Sequence, residues 1–227
     1  MRTRPTILEP DPNNQNSIEV HKRSVLTEYA ALFALIESAL RDSAPKAKDF
    51  FSLMEGPVDL SVHATLTRYL CKRFLASQDI SAEEDDSSFE LGKIPNCGLC
   101  LNGSGSQVRV LKATVNGVPK ATSDARSRFY CSNQYMLPFG NANGPAAESQ
   151  IPLSLVVLWT LDNDLQFRGM EIACPKRERA DGSVECYWLA EWCGVQGAIS
   201  ISQDDATTQV TDLDEIRAIQ KSMKATS

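Results

Sequence analysis

The first third of the chain carries apolar residues at the spacing of an α-helix. Five of them, at gaps of 3, 4, 3 and 4, are Leu26, Tyr29, Phe33, Ile36 and Leu40. This period places one apolar stripe on a helix from about Ile18 to Arg41, with Ser17 as its N-cap. The stripe either packs within its own domain or forms a helical interface with a partner.

Two further helices are predicted after this one. Ser43 and Pro45 are typical helix-start residues and predict a second helix that ends before Gly56 and Pro57. A third helix, over about 59–77, carries an apolar residue at every fourth position. The chain therefore begins with a helical portion.

The pattern changes at residue 79. Six carboxylates lie between Asp79 and Glu90, a density that resists packing and predicts a solvated linker over 79–92. Beyond it the apolar period drops from 3.6 to 2, which is the period of β-strands. A closing helix is predicted over 212–223. Strands are predicted over 107–115, 126–131, 153–161, 165–174 and 183–191, the last three as an antiparallel meander.

These patterns predict an α+β protein: a helical N-terminal portion followed by a mainly antiparallel β-sheet with a C-terminal helix. We expect a flexible leader at 1–17, a helical portion at 18–78, an acidic linker at 79–92, and a β-rich domain with the C-terminal helix at 93–227.

The composition of the 227 residues is that of a globular protein, with 42% hydrophobic and 23% charged residues. The longest strongly apolar run, from Leu153 to Leu161, is too short to cross a bilayer, so no membrane partner is expected. The first residues lack the apolar core of a secretory signal, which predicts a cytoplasmic location. The formal net charge of −6 disfavours indiscriminate binding to polyanions.

One segment departs from this negative charge, since residues 104–138 hold five basic side chains against one acidic side chain. Arginine suits phosphate and carboxylate groups, aromatic rings stack on unpaired bases, and Asn or Gln can read base edges. On the predicted strand, Arg126, Arg128 and Tyr130 share one face. Alternatively, the cations form the outer face of a sheet and pair with acidic residues of the same chain. The candidate contact residues for nucleic acid or an acidic protein partner are Arg109, Lys112, Arg126, Arg128, Tyr130, Asn133 and Gln134.

Seven cysteines, an odd number, predict reduced thiols in a chain of this length without an export signal. Cys97 and Cys100 have the spacing of a zinc-chelating pair, and Cys131 is a candidate third ligand. Structural zinc usually takes two such close pairs, and the sequence has only one. The thiols are equally explained as small buried side chains, and no other cofactor is expected.

The chain offers few groups for catalysis, because it has only two histidines and lacks the common phosphate-loop, nucleophile-elbow and His-Glu-x-x-His motifs. We therefore expect a non-enzymatic binding or regulatory protein that contacts nucleic acid or an acidic protein through the basic segment. Two alternatives stay open. One is a small hydrolase or nuclease of the toxin or defence type, built on Arg128, Tyr130 and Asp164; the other is a zinc-stabilised interaction module. The oligomeric state is left open.

Overall fold

The computed structural model describes residues 14–52, 59–78, 89–92, 98–103, 105–133 and 153–194. Helices precede a mostly antiparallel sheet, which confirms the predicted α+β class, and the helix predicted over 59–77 is confirmed as α3. No helix in these ranges is long and apolar enough to span a membrane. The helices are α1 (Gln15–Glu28), α2 (Ala30–Ser52), α3 (Leu60–Ser77) and α4 (Asp124–Cys131). The strands are β1 (Phe89–Leu91), β2 (Leu99–Gly103), β3 (Ser106–Lys112), β4 (Leu153–Leu161), β5 (Phe167–Glu178) and β6 (Val184–Glu191).

The N-cap of α1 is Asn14, whereas Ser17 was predicted. The side-chain oxygen of Asn14 accepts hydrogen bonds from the backbone N–H groups of Asn16 at 3.0 Å and Ser17 at 3.3 Å. These contacts satisfy donors that a helix otherwise leaves without partners in its first turn. The helix therefore begins within the predicted leader, of which only residues 14–17 are described.

The single helix predicted over 18–41 is two helices, because Tyr29 leaves the helical conformation between α1 and α2. Pro45 was predicted to begin a helix of its own, yet it lies inside α2. Proline removes one donor from the helical hydrogen-bond ladder. The buried alanines on either side, Ala44 and Ala47, keep this part of α2 packed.

Six strands form one sheet in the order β1-β2-β3-β4-β5-β6. All neighbours are antiparallel except β3 and β4, which run parallel. A parallel pair needs a crossover connection, and α4 lies in the chain between these two strands. The predicted meander is confirmed as β4, β5 and β6, and the strand predicted over 107–115 as β3. The strand predicted over 126–131 is wrong, since these residues belong to α4.

Helix α4 covers one face of the sheet. Its buried side chains, Phe129 and Tyr130, form a cluster with strand residues Leu111, Val156, Leu158 and Ala173. Alternate residues of a strand point to opposite faces. Arg109, two residues before Leu111, therefore lies on the α4 face, whereas Lys112 lies on the other. This separation decides which predicted contact residues can act together.

Contacts divide the chain into two units, residues 1–38 with 192–227 and residues 39–191. In the first unit, the ring centroids of Phe33 and Trp192 lie 5.4 Å apart, and the Trp192 indole N–H donates to Glu37 at 2.8 Å. The second unit contains α3, α4 and the sheet. The domain limits drawn from the sequence stay a prediction.

Part of the predicted acidic linker belongs to the sheet. Residues 89–91 pair with β2 as β1, and Phe89 is buried there, so the linker prediction is wrong for these residues. Residues 79–88 and the predicted closing helix over 212–223 lie outside the described residues.

Candidate binding site

The predicted contact residues centre on α4, which is helical for a local reason. Ser123 caps its N-terminus by accepting a hydrogen bond from the Arg126 N–H at 3.3 Å. Asp124 in the first turn and Arg128 in the last turn complement the helix dipole. The sequence contained this signal as a Ser-Asp pair ahead of the segment.

Tyr130 is a structural residue of α4. On a helix, Arg126 and Tyr130 share a face because they are four residues apart, and Arg128 does not lie on it. The predicted common face of the three is therefore wrong. Tyr130 is fully buried, its hydroxyl donates to the Pro119 carbonyl at 2.7 Å, and burial raises its pKa to about 12. It holds α4 in place and cannot stack on a base.

Asn133 is also committed to the fold. Its Nδ2 donates to the carbonyls of Ser154 at 2.7 Å and Pro175 at 2.8 Å, and its Oδ1 accepts from the Ser154 N–H at 2.8 Å. The Tyr187 hydroxyl donates to the Asn133 carbonyl at 3.1 Å. Because these bonds join the end of α4 to three strands, the side-chain amide of Asn133 is committed to the fold, and a contact between Asn133 and a partner stays a prediction. Gln134 lies outside the described residues.

Lys112 does not join the other cations. It ends β3 on the face of the sheet away from α4, near the fully buried His63 of α3. Burial lowers the pKa of His63, and the charge of Lys112 lowers it further. The prediction of one contact surface that includes both Lys112 and Arg109 is therefore wrong.

Arg109 joins β3 to α4 through a half-buried guanidinium group. Its Cζ lies 4.3 Å from the ring centroid of Phe129, and its Nη2 donates to the Ala125 carbonyl at 3.4 Å. Burial lowers the pKa of Arg109, the neighbouring Cys100 opposes this shift, and the charge of Arg126 lowers the pKa further. An arginine nevertheless stays charged at neutral pH.

We give the name α4 surface to three cations on and beside α4, Lys120, Arg126 and Arg128, of which Arg128 lies on a different side of the helix from Arg126. Arg126 Nη1 donates to the Lys120 carbonyl at 3.4 Å, and Lys120 Nζ donates to the Asp181 carbonyl at 2.7 Å. Arg128 is exposed, and neither arginine forms an ion pair with a carboxylate in the described part of the chain. Glu178 approaches α4 but accepts its hydrogen bond from the Ser127 hydroxyl, at 2.7 Å. The arginine charges of the α4 surface therefore remain available to an anionic partner.

Sequence reasoning missed a second group of cations, around Glu185, which we call the hairpin cluster. Glu185 accepts from Lys176 at 2.9 Å, Arg177 at 2.9 Å and Arg179 at 3.4 Å. The hydrogen bonds from Lys176 and Arg177 are the main cause of a lowered Glu185 pKa, about 2. The sequence signal was the basic run at 176–179, which disappears when charge is summed over the acidic C-terminal segment.

The apolar helical stripe is core. All five residues predicted for it are buried: Leu26, Tyr29, Phe33, Ile36 and Leu40. Their burial is incompatible with a partner interface and agrees with the alternative, in which the helices pack within the chain.

The zinc prediction involves Cys97, which lies outside the described residues. Cys100 is buried in β2, where burial raises its pKa to about 11, and Cys131 is the last residue of α4. No three His, Cys, Asp or Glu side chains are grouped to hold a metal ion within the described ranges. All six cysteines in those ranges are free, which agrees with the expected reduced thiols. The zinc site stays a prediction.

The acidic turn considered for the hydrolase alternative has a local structural role. Asp162 Oδ1 accepts from the backbone N–H groups of Asp164 and Gln166, both at 2.9 Å, which is an ordinary use of aspartate in a turn. Tyr130, a second residue of that alternative, is buried on α4 and not exposed to a substrate.

No family model, curated protein or solved structure matches this chain. Its function is therefore argued from the geometry of the α4 surface.

Proposed function

We propose that this chain is a non-enzymatic binding protein that contacts acidic side chains of a protein partner through the α4 surface. The observation that carries the proposal is that Arg126 and Arg128 lie on one short helix without an ion pair to any described carboxylate. Elsewhere on the sheet, the three cations of the hairpin cluster do surround a carboxylate. The α4 surface thus presents positive charge that the rest of the described chain does not neutralise.

The side chains around these cations favour a protein partner over nucleic acid. The two aromatic residues of α4, Phe129 and Tyr130, are buried and cannot stack on bases. The side-chain amide of Asn133 is hydrogen-bonded to backbone groups, so it cannot read a base edge. Only cations remain, on a chain whose formal net charge is −6. A short acidic segment fits a few cations better than a long polyanion does.

We also propose an intracellular, cytoplasmic location. The support is chemical: six free thiols in the described residues, four of them with pKa values raised by burial, suit a reducing compartment.

The test is fluorescence anisotropy of the full chain with two labelled probes of equal charge. One is a peptide of alternating Ser and Glu, and the other is a single-stranded oligonucleotide. We expect the peptide to bind more tightly than the oligonucleotide, and the double substitution of Lys120→Ala and Arg128→Ala to weaken peptide binding about fivefold. When the salt concentration rises from about 50 to 200 mM, the double variant should lose less peptide affinity than the parent chain. Arg168→Ala is the matched control, since Arg168 is an exposed strand cation outside the α4 surface.

Two results would contradict the proposal. If the oligonucleotide binds more tightly than the peptide, the partner is a nucleic acid. If Arg168→Ala weakens peptide binding as much as the double substitution does, the binding is diffuse and the α4 surface has no special role.

A further inference from the structure

Arg109 is an under-satisfied cation in a half-buried position. The Nε of its guanidinium group is buried and has no hydrogen-bond partner among the described residues. Its guanidinium group hydrogen-bonds the thiol of Cys100, and its Nη2 has a long bond, 3.4 Å, to the Ala125 carbonyl. A guanidinium group has five N–H donors, and leaving a buried donor unsatisfied destabilises the fold. Only Nε is buried without a partner, so the Nη groups of Arg109 are the ones that an acceptor from outside the chain engages.

The groups beside Arg109 do not neutralise it. Cys100 and Tyr130 are the neighbours able to carry negative charge, and burial raises their pKa values to about 11 and about 12. Both are therefore uncharged at neutral pH. Glu178 is engaged by the Ser127 hydroxyl, and no ion pair within the described ranges includes Arg109.

A second guanidinium group lies beside the first. Arg109 reaches the backbone of Ala125, the residue next to Arg126, and the charge of Arg126 acts on Arg109. Within the described residues, the guanidinium group of Arg126 has one hydrogen bond, the long one of 3.4 Å to the Lys120 carbonyl. Two like charges placed together repel each other, and an anion bound between them is attracted by both, which offsets that repulsion.

We infer that Arg109 and Arg126 together bind a phosphoryl dianion, and that this group is a phosphorylated side chain of the acidic protein partner. The inference rests on the proposed function and specifies its ligand. Two guanidinium groups from different elements, β3 and α4, match the charge of −2 and the several acceptor oxygens of a phosphate monoester. A carboxylate or a nucleic-acid phosphodiester carries a single charge and would leave one guanidinium group uncompensated. Arginine clusters are a general means of recognising phosphorylated segments.

The first experiment needs no partner. Calorimetric titration of the full chain with inorganic phosphate, at ionic strength held constant with chloride, is expected to show saturable binding. Arg126→Ala is expected to weaken this binding about tenfold or more. Arg109→Lys, which keeps the charge but loses the planar guanidinium group with its paired N–H donors, is expected to weaken it about fivefold. Arg168→Ala, a matched exposed cation, should leave the affinity unchanged.

The second experiment separates the inference from the proposed function. Two Ser- and Glu-rich peptides differ only in one position, which is phosphoserine in one and Glu in the other. We expect the phosphopeptide to bind about tenfold more tightly, and Arg126→Ala to remove most of that difference.

Each outcome decides between the two claims. Equal binding of the two peptides overturns the inference and leaves the proposed function standing. Binding of neither peptide overturns the proposed function, and absence of phosphate binding overturns the inference by itself. Tighter competition by a single-stranded oligonucleotide than by the phosphopeptide overturns both, because it assigns the two arginines to a phosphodiester backbone.

Discussion

The two cation clusters beside this sheet contain the same kinds of side chain but differ in whether a carboxylate pairs with them. In the hairpin cluster, Lys176, Arg177 and Arg179 share the carboxylate of Glu185. Beside α4, Arg109 and Arg126 have long bonds, 3.4 Å, to carbonyl groups, and Arg109 also hydrogen-bonds the thiol of Cys100. The first cluster contains a carboxylate that pairs with its cations, whereas the second has no ion pair among the described residues.

This difference shows that the number of cations in a segment does not identify a binding surface. A paired cation has already given up part of its water and gained a partner, so an external anion must replace that partner. A guanidinium group that lacks an ion pair and is held in place by an aromatic ring, as Arg109 is by Phe129, has no internal carboxylate that an anion must displace. Arg109 and its neighbour Arg126 are therefore the better candidates, although the hairpin cluster contains more cations.

The largest expected effect comes from removing the residue that holds α4, and with it Arg126, against the sheet. Asn133→Ala leaves the Ser154 and Pro175 backbone groups without their side-chain partner. Because these bonds are partly buried, we expect the free energy of unfolding to fall by about 2–3 kcal/mol. Urea denaturation followed by tryptophan fluorescence measures this change. Phosphate binding should weaken as well, since Arg126 is no longer fixed beside Arg109.

A matched control distinguishes the loss of the Asn133 hydrogen bonds from a general effect of replacing an asparagine. Asn163 is an exposed residue of the β4–β5 turn, and Asn163→Ala is expected to change the free energy of unfolding by less than about 0.5 kcal/mol. If both variants lose the same stability, the hydrogen bonds of Asn133 do not support α4 in the way described.

The sequence predicted the sheet better than the site for a physical reason. The strands from Leu153 to Glu191 combine long apolar runs with turn residues, such as Asp162 and Gly182, and both signals agree. In α4 the signals conflict, since the alternation of Arg126, Arg128 and Tyr130 indicates a strand while the Ser123 cap indicates a helix. Tertiary contacts with the sheet decide the result, and they are not visible in the local pattern.

The same limit applies to the roles of single residues. The sequence shows that Tyr130 and Asn133 are able to bind a ligand, but not that Pro119, Ser154 and Pro175 already occupy their polar groups. It shows that Arg109 is basic, but not that its neighbours are neutral. Hydrogen-bond partners distant in the chain decide which polar residues remain available, and only the fold reveals them.

An intermediate effect is expected from Arg109 itself. Arg109→Met replaces a half-buried, unpaired charge with an apolar side chain of similar length, and such replacements are often neutral or stabilising. We expect the free energy of unfolding to stay constant or rise by up to about 1 kcal/mol while phosphate binding is lost. Calorimetric unfolding and phosphate titration of the same variant measure the two effects. A large loss of stability would mean that Arg109 acts chiefly as a structural residue, and that its charge is compensated.

The smallest effect is expected from the hairpin cluster. Glu185→Gln removes the charge shared by three cations, two of which, Arg177 and Arg179, are more than half exposed to solvent, so we expect a loss below about 1 kcal/mol at neutral pH. Glu191→Gln, an exposed carboxylate near the end of the same strand, is the control.

The pH dependence of this loss tests its cause. The folded-state pKa of Glu185, about 2, lies below its ordinary value of 4.5, so the unfolded chain binds more protons between these values. The stabilisation is therefore complete above about pH 4.5 and disappears as the pH falls toward 2, where the difference between the parent chain and Glu185→Gln should vanish. Chemical denaturation at several pH values measures it. A difference that persists undiminished at the lowest pH would show that Glu185 stabilises the hairpin by packing, and the contrast between a cluster with an ion pair and one without would then lose its electrostatic basis.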